Sequence, residues 1–312
     1  MSSRYLIWLD WPEKCFRAQP SDIAYFKSLV PSDGEVVRVR SERAFLRELP
    51  GATHAVTWDF KPQWFAVAKR LRALATPAAG REFVPEHGPA GVKIHFGHFH
   101  GPIIAESVAA FVLAWSRGFF AAERHDGEWP RTWLSDKCRS VAGTKAVVVG
   151  YGHVGRAIGD KLESLGVEVT GVTRHGVFSG SRLISKTGGR AAGAFASADW
   201  CILALPSTTG TDDWLDAGLI ARLPRRCVVV NVGRGNAIDE KALFSALKSR
   251  RIAGAYLDVR RHEPSATVLE TPGFVPGLNA LPNCVVMPHS SAFDERYMRM
   301  CFDELKKDGV LA

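Results

Sequence analysis

The sequence has no apolar run long enough to span a bilayer, no CxxC cysteine pair and no block of basic residues. The first absence excludes a transmembrane helix. The second argues against a structural zinc site or a disulfide framework. The cysteines at 15, 138, 201, 227, 284 and 301 are dispersed, and Cys201, Cys227 and Cys284 stand in apolar stretches that suit buried free thiols. The third leaves a net charge of +8 spread along the chain, which suits attraction of small anions and makes no nucleic-acid partner expected. The opening residues MSSRYLIWLDWPEK lack a basic segment followed by an apolar core and cleavage site, so a cytoplasmic protein with no membrane attachment is expected.

What is present is an ordinary globular composition, 46% hydrophobic and 23% charged, in 312 residues, a length that favours two domains. The most informative stretch is Ala146 to Gly155, AVVVGYGHVG. Four apolar residues form a strand buried on both faces, and Gly150, Gly152 and Gly155 follow in GxGxxG spacing. Ile158, Leu162 and Leu165 then recur on one helical face until Gly166, and Val167 to Val172 form a second strand. A strand, glycine turn, helix and strand in this order point a helix amino end at the turn. Its N–H groups and macrodipole favour an anion there, so Gly150, Gly152, His153, Val154 and Gly155 are expected to hold a dinucleotide pyrophosphate. A packing turn without phosphate is the alternative.

The second strand ends in Thr173-Arg174-His175, without the carboxylate that usually accepts from an NAD ribose. Arg174 offers a forked cation for a 2′-phosphate, so NADP(H) is expected over NAD(H), with a solvated loop arginine as the alternative reading.

Elsewhere short strands and helices alternate. Strands are expected at residues 5–10, 35–40 and 54–60, around Leu71 and Val92, and later at Trp200–Leu205, Cys227–Val232, Ile252–Leu257 and Cys284–Met287. Helices are expected at Asp22–Leu29, Ser41–Leu49, Asp212–Leu223 and Asp239–Arg250, the last capped by Asp239. The fold class is therefore α/β, with doubly wound, Rossmann-like parallel sheets. From Pro102 the segment Ile103 to Phe120 is apolar nearly all round, as an interdomain connection, a dimer contact or a core helix would be, and Trp129 and Trp133 follow it. The turn Ala78-Ala79-Gly80 is either an anion-binding turn or a plain loop. His95, His98 and His100 match no structural zinc spacing, and a loop is expected there with no metal.

Ligands on doubly wound sheets sit beyond the carboxyl ends of the strands. Those ends carry Leu205-Pro206, Val232-Gly233-Arg234-Gly235, Asp258 with Glu263, and Pro288-His289. An arginine, a carboxylate and a histidine thus fall on one rim. With VVVGYGHVG, ALPSTTGT, VVNVGRG, LDVRRHEP and NCVVMPHSS in this order, the chain resembles the D-isomer-specific 2-hydroxyacid dehydrogenases, and Thr173-Arg174 resembles their NADPH-preferring glyoxylate and hydroxypyruvate reductase branch.

The resemblance implies that Arg234 binds the substrate carboxylate, His289 is the acid/base and Glu263 pairs with it. It implies that Leu205, Pro206, Thr208, Thr211, Val232 and Asp258 line the cofactor, and that Ala79 and Gly80 hold the substrate carboxylate. It also implies a substrate domain of residues 1–102 and 290–312, a dinucleotide domain of 103–289, an active site in the cleft between them, and a homodimer acting on a small 2-keto or 2-hydroxy acid. A dinucleotide-binding, corepressor-like regulator on the same fold is the other reading.

Overall fold

The computed structural model describes residues 3–125, 129, 131–173, 189–263, 275 and 277–311. The chain divides into two compact units, Met1–His100 with Phe293–Ala312, and Gly101–Ala292.

In the first unit, β1 (Arg4–Trp8), α1 (Pro20–Leu29), β2 (Glu35–Arg38), α2 (Glu42–Glu48), β3 (His54–Thr57), β4 (Ala73–Thr76) and β5 (Lys93–Phe96) follow one another. The strands form an all-parallel sheet of order β2-β1-β3-β4-β5. The helices begin where local chemistry favours it. Pro20 opens α1, where its missing N–H costs nothing, and Ser41 caps α2 by accepting the Ala44 N–H at 3.3 Å. Phe45, Leu49, Phe60 and Leu74, all fully buried, form the core, each contributing about 1.5–3 kcal/mol by leaving water.

The second unit contains α3 (His100–Ser116) from Gly101 onward, α4 (Phe119–Glu123), α5 (Arg131–Ser135), β6 (Lys145–Val149), α6 (His153–Glu163), β7 (Glu168–Val172), α7 (Gly189–Ser197), β8 (Trp200–Leu203), α8 (Ala217–Ile220), β9 (Val228–Asn231), α9 (Glu240–Lys248), β10 (Gly254–Leu257) and β11 (Cys284–Val286). Its sheet is also all parallel, in the order β11-β10-β9-β8-β6-β7. Strand alternation divides its core in two. Val147, Val149, Cys201, Leu203 and Val229 face one apolar cluster, while Ala146, Val148, Trp200, Ile202, Val228 and Val230 face the other. The last helix, α10 (Tyr297–Lys307), belongs to the first unit.

The apolar stretch after Pro102 resolves as a helix of this core: Ala105, Val108, Phe111 and Val112 of α3 pack in the second cluster. It ends at Ser116 rather than Phe120, because Gly118 takes a positive φ of 73°. The expected helix Asp212–Leu223 is a correction. Only Ala217–Ile220 is α-helical, preceded by a 3-10 turn at Thr209–Thr211. Asp213 has a φ of +46°, and Leu215 pairs as a bridge with Ile238, so the apolar residues there are buried in extended backbone. Asp239 does cap α9, accepting the N–H groups of Lys241 and Ala242.

Cys201, Cys227 and Cys284 are buried, and burial pushes the thiols of Cys201 and Cys284 up to about 12. Among the described residues no helix is long and apolar enough to cross a membrane.

Candidate active site

The glycine turn sits at the switch point of the second sheet, where the chain leaves β6 for β7 on one side and β8 lies on the other. Gly150 has a φ of +87°, and a Cβ there would stand 2.5 Å from the Ala204 carbonyl oxygen, so both conformation and space demand glycine. A Cβ on Gly155 would overlap the Gly150 carbonyl, which brings α6 close against the turn. Gly152 differs: nothing lies within 4 Å of where its Cβ would be. The protein itself does not require glycine at 152, but a ligand approaching the backbone would. No side chain caps α6, whose first-turn N–H groups point towards the turn. These residues fit a dinucleotide pyrophosphate.

The strand ends of the same unit assemble the charged groups. Because the sheet is all parallel, the residues after β9, β10 and β11 emerge on one edge. Nδ1 of His289 stands 2.9 Å from Glu263 Oε2. That bond is the largest influence on His289, raising its pKa above 6.5 against desolvation; the Glu263 and Asp258 charges also favour its proton and Arg234 opposes it. With Nδ1 committed to Glu263, Nε2 is the nitrogen left to exchange a proton with a substrate. The side chains of His289 and Glu263 are 48% and 42% exposed, open enough for a small molecule to reach.

His289 has a φ of +54°, a conformation that costs a side-chain-bearing residue of order 1–3 kcal/mol unless its surroundings impose it. Asp258 does so. Its carbonyl accepts the His289 N–H at 2.8 Å, and its carboxylate, 3% exposed, accepts the N–H groups of Ser290 and Ser291. The Arg234 turn is fixed in a similar manner. Asn231, buried at the end of β9, donates to the Arg234 carbonyl at 3.1 Å and accepts the Gly233 N–H at 3.2 Å.

The family comparison rests on this unit. A family profile described as D-isomer specific 2-hydroxyacid dehydrogenase, NAD binding domain, matches residues 109–291. The chain belongs to that family. It is 25% identical over 292 residues to D-3-phosphoglycerate dehydrogenase 1 of Saccharomyces cerevisiae, covering 88% of this chain and 58% of that protein. It is 26% identical over 236 residues to glyoxylate reductase of Thermococcus kodakarensis, covering 72% of this chain and 68% of that protein. The chain thus spans a little under 60% of the length of the yeast relative. A solved D-isomer specific 2-hydroxyacid dehydrogenase from Xanthobacter autotrophicus Py2, in complex with NADPH and MES, superposes with a TM-score of 0.74 at 22% identity, covering 99% of this chain and 96% of that one.

In this family member the remaining expected site residues divide by location. His153 and Val154 open α6, and Thr173 directly follows β7. Arg174 lies outside the described residues. Leu205 abuts Gly233, where a Cβ would lie 2.5 Å from the Leu205 amide nitrogen, so the turns after β8 and β9 touch; Val232 is buried beneath them. Thr208 and Thr211 cap each other across a 3-10 turn, and the Thr211 hydroxyl donates to the Pro206 carbonyl at 2.7 Å, which shapes the loop. Ala79 and Gly80 follow β4 in the first unit, Ala79 exposed and Gly80 half-buried.

The histidine loop ties β5 to α10 within the first unit. His95 Nε2 lies 3.1 Å from Glu304 Oε1, the His98 N–H donates to both Glu304 oxygens, and His100 Nε2 stands 2.7 Å from the Tyr297 hydroxyl. His95, Glu304 and Asp308 bring potential metal-ligand atoms within 4.8 Å of one another, with Glu304 already engaged by His95 and His98. Spacing within HFGHFH gave no hint of this, because the partner carboxylate is 209 residues away from His95. Asn231 and Glu240 were likewise missed. Their roles depend on hydrogen bonds to turns whose placement follows from strand order.

Proposed function

We propose that the chain reduces a small 2-keto acid, glyoxylate or hydroxypyruvate being the leading substrates, with NADPH as the preferred cofactor. One observation carries the reading: a carboxylate-paired histidine on the same strand-end rim as Arg234 and the glycine turn.

Gly150, Gly152 and Gly155 would hold the pyrophosphate, and Thr173 with Arg174 the adenosine ribose and its phosphate. The nicotinamide, when bound, supplies the hydride. His289, as imidazolium oriented by Glu263, gives a proton from Nε2 to the substrate carbonyl oxygen. Arg234 binds the substrate carboxylate and stabilises the charge that grows on that oxygen. For Ala79 and Gly80 the proposed role is to offer backbone N–H groups to a carboxylate. In the opposite direction neutral His289 accepts the hydroxyl proton of a D-2-hydroxy acid.

The names of similar proteins support this choice, glyoxylate reductase among them. The assembly we favour is a homodimer, supported by exposed Leu113, Phe119, Trp129 and Trp133 on consecutive segments. Sedimentation of the wild type and of Phe119→Asp checks it, a monomeric wild type counting against it.

The activity test is a 2-keto acid panel with NADPH and NADH. We expect faster oxidation of NADPH with glyoxylate or hydroxypyruvate, and loss of turnover with retained cofactor binding in His289→Ala. Inactivity of the wild type across the panel would overturn the reading.

A further inference from the structure

Next to the acid/base pair lies a buried ion pair that the chemistry above does not use. Arg260 and Glu240 have side chains only 7% and 5% exposed. They meet as a fork, Arg260 Nε to Glu240 Oε1 and the second guanidinium nitrogen to Oε2, each at 2.9 Å. The Arg261 backbone N–H adds a third donor to Glu240 at 2.8 Å. A buried, planar, two-bond pair fixes direction as well as distance, which an apolar pair of similar volume would not.

The pair joins three parts of the rim. Glu240 opens α9, just after the turn that carries Arg234. A Cβ on Gly235 would collide with the Arg260 backbone carbonyl, so the Arg234 turn rests directly on Arg260. The Arg260 N–H in turn points at Glu263 Oε1, 3.4 Å away, while Oε2 of the same carboxylate holds His289. Arg261 extends the brace outward, its guanidinium bonding Asp213 and the carbonyls of Asn236 and Ile238.

We propose that the Glu240–Arg260 pair is a positioning device that sets the Arg260 backbone between the Arg234 turn and Glu263, and so fixes the Glu263 carboxylate for His289. The device rests on the functional reading only for its catalytic consequence; its geometric claim stands on the Glu263–His289 contact. It acts through Glu263 and touches no substrate.

The groups that act on the His289 proton are Glu263 and Asp258, which favour it, and Arg234, which opposes it. Loosening Glu263 removes the largest of these influences, so the His289 pKa should fall. Arg260→Met alone strands a buried carboxylate and risks the fold. The double variant Glu240→Leu/Arg260→Met replaces both charges with apolar volume, and Arg260→Lys keeps the charge while losing the fork.

The experiment is an NMR titration of the His289 ring protons in the wild-type protein and in both variants, with NADPH affinity and steady-state kinetics alongside. In the double variant we expect folding and NADPH affinity within about threefold of wild type, a lower His289 pKa, and kcat reduced about tenfold or more with little change in KM. Arg260→Lys should lie between the two. A folded double variant with an unchanged His289 titration would overturn the proposal. If the wild-type protein turned over no 2-keto acid, the functional reading would fail while the titration still decided the positioning claim.

Discussion

Glu263 offers its two carboxylate oxygens to different partners: Oε2 lies 2.9 Å from His289 Nδ1, and Oε1 accepts the Arg260 backbone N–H at 3.4 Å. The histidine is therefore held by a carboxylate whose orientation is itself constrained, which favours one ring nitrogen for proton transfer. In the proposed reading, reduction needs the imidazolium. Because the hydrogen bond to Glu263 raises the His289 pKa above 6.5, kcat/KM for reduction should be retained on the acid side and decline as pH rises through that raised value. The oxidation direction should show the opposite limb. Glu263→Gln should move the decline towards lower pH; an unmoved profile would show that the pair does not set the proton equilibrium.

The glycine turn separates fold from ligand. Gly155→Ala forces a Cβ into the Gly150 carbonyl and should destabilise the protein by about 1–3 kcal/mol. Gly152→Ala meets no protein atom within 4 Å, so the melting temperature should stay near wild type while NADPH binding weakens about tenfold or more. Thermal melts with fluorescence titration of NADPH compare the two. Equal cofactor affinity in Gly152→Ala and wild type would remove the dinucleotide from this turn.

Asp258 is buried and accepts two backbone N–H groups that shape the strained His289 turn. Truncation in Asp258→Ala leaves those donors unsatisfied and should cost about 1–3 kcal/mol in denaturant unfolding. Turnover should fall more than stability implies, since His289 loses its imposed conformation. A variant with normal kcat would show that the turn keeps its shape unaided.

Glu304 is an acid-sensitive fastener of the first unit. Desolvation alone would raise its pKa, but the His95 hydrogen bond and the His98 N–H outweigh it and hold it below 4.5. A carboxylate with a depressed folded-state pKa contributes stability above its unfolded value and loses it as pH falls through the depressed one. Glu304→Gln should therefore melt below wild type at neutral pH, with the gap closing in acid. Parallel melting curves at neutral and acid pH would contradict this.

Arg174 carries the cofactor preference in the proposed reading. Arg174→Ala should raise KM for NADPH about 10–100-fold, as expected for one charge-assisted contact, and leave NADH nearly untouched. Equal losses with both nucleotides would assign the residue to structure.

The elements whose cause is local were legible in the sequence. Continuous apolar runs mark β6, β8 and β9, the glycine spacing marks the turn into α6, and Asp239 marks the start of α9. Each depends on residues within a turn or two of one another, so spacing along the chain is spacing in the structure. The motif order also placed Arg234, Glu263 and His289 at strand ends.

The tertiary structure alone decided what those ends do to one another. Strand order brought the Glu263 carboxylate to His289, burial turned Arg260 inward onto Glu240, and backbone pairing beside Ile238 kept Leu215 out of a helix. It also found Glu304 as the partner of His95 and His98. These contacts join segments 20 to 209 residues apart, where no local pattern constrains the partner. A buried charge must find a counter-charge and a buried N–H an acceptor, and which one lies within reach is settled only when the sheet has closed its order.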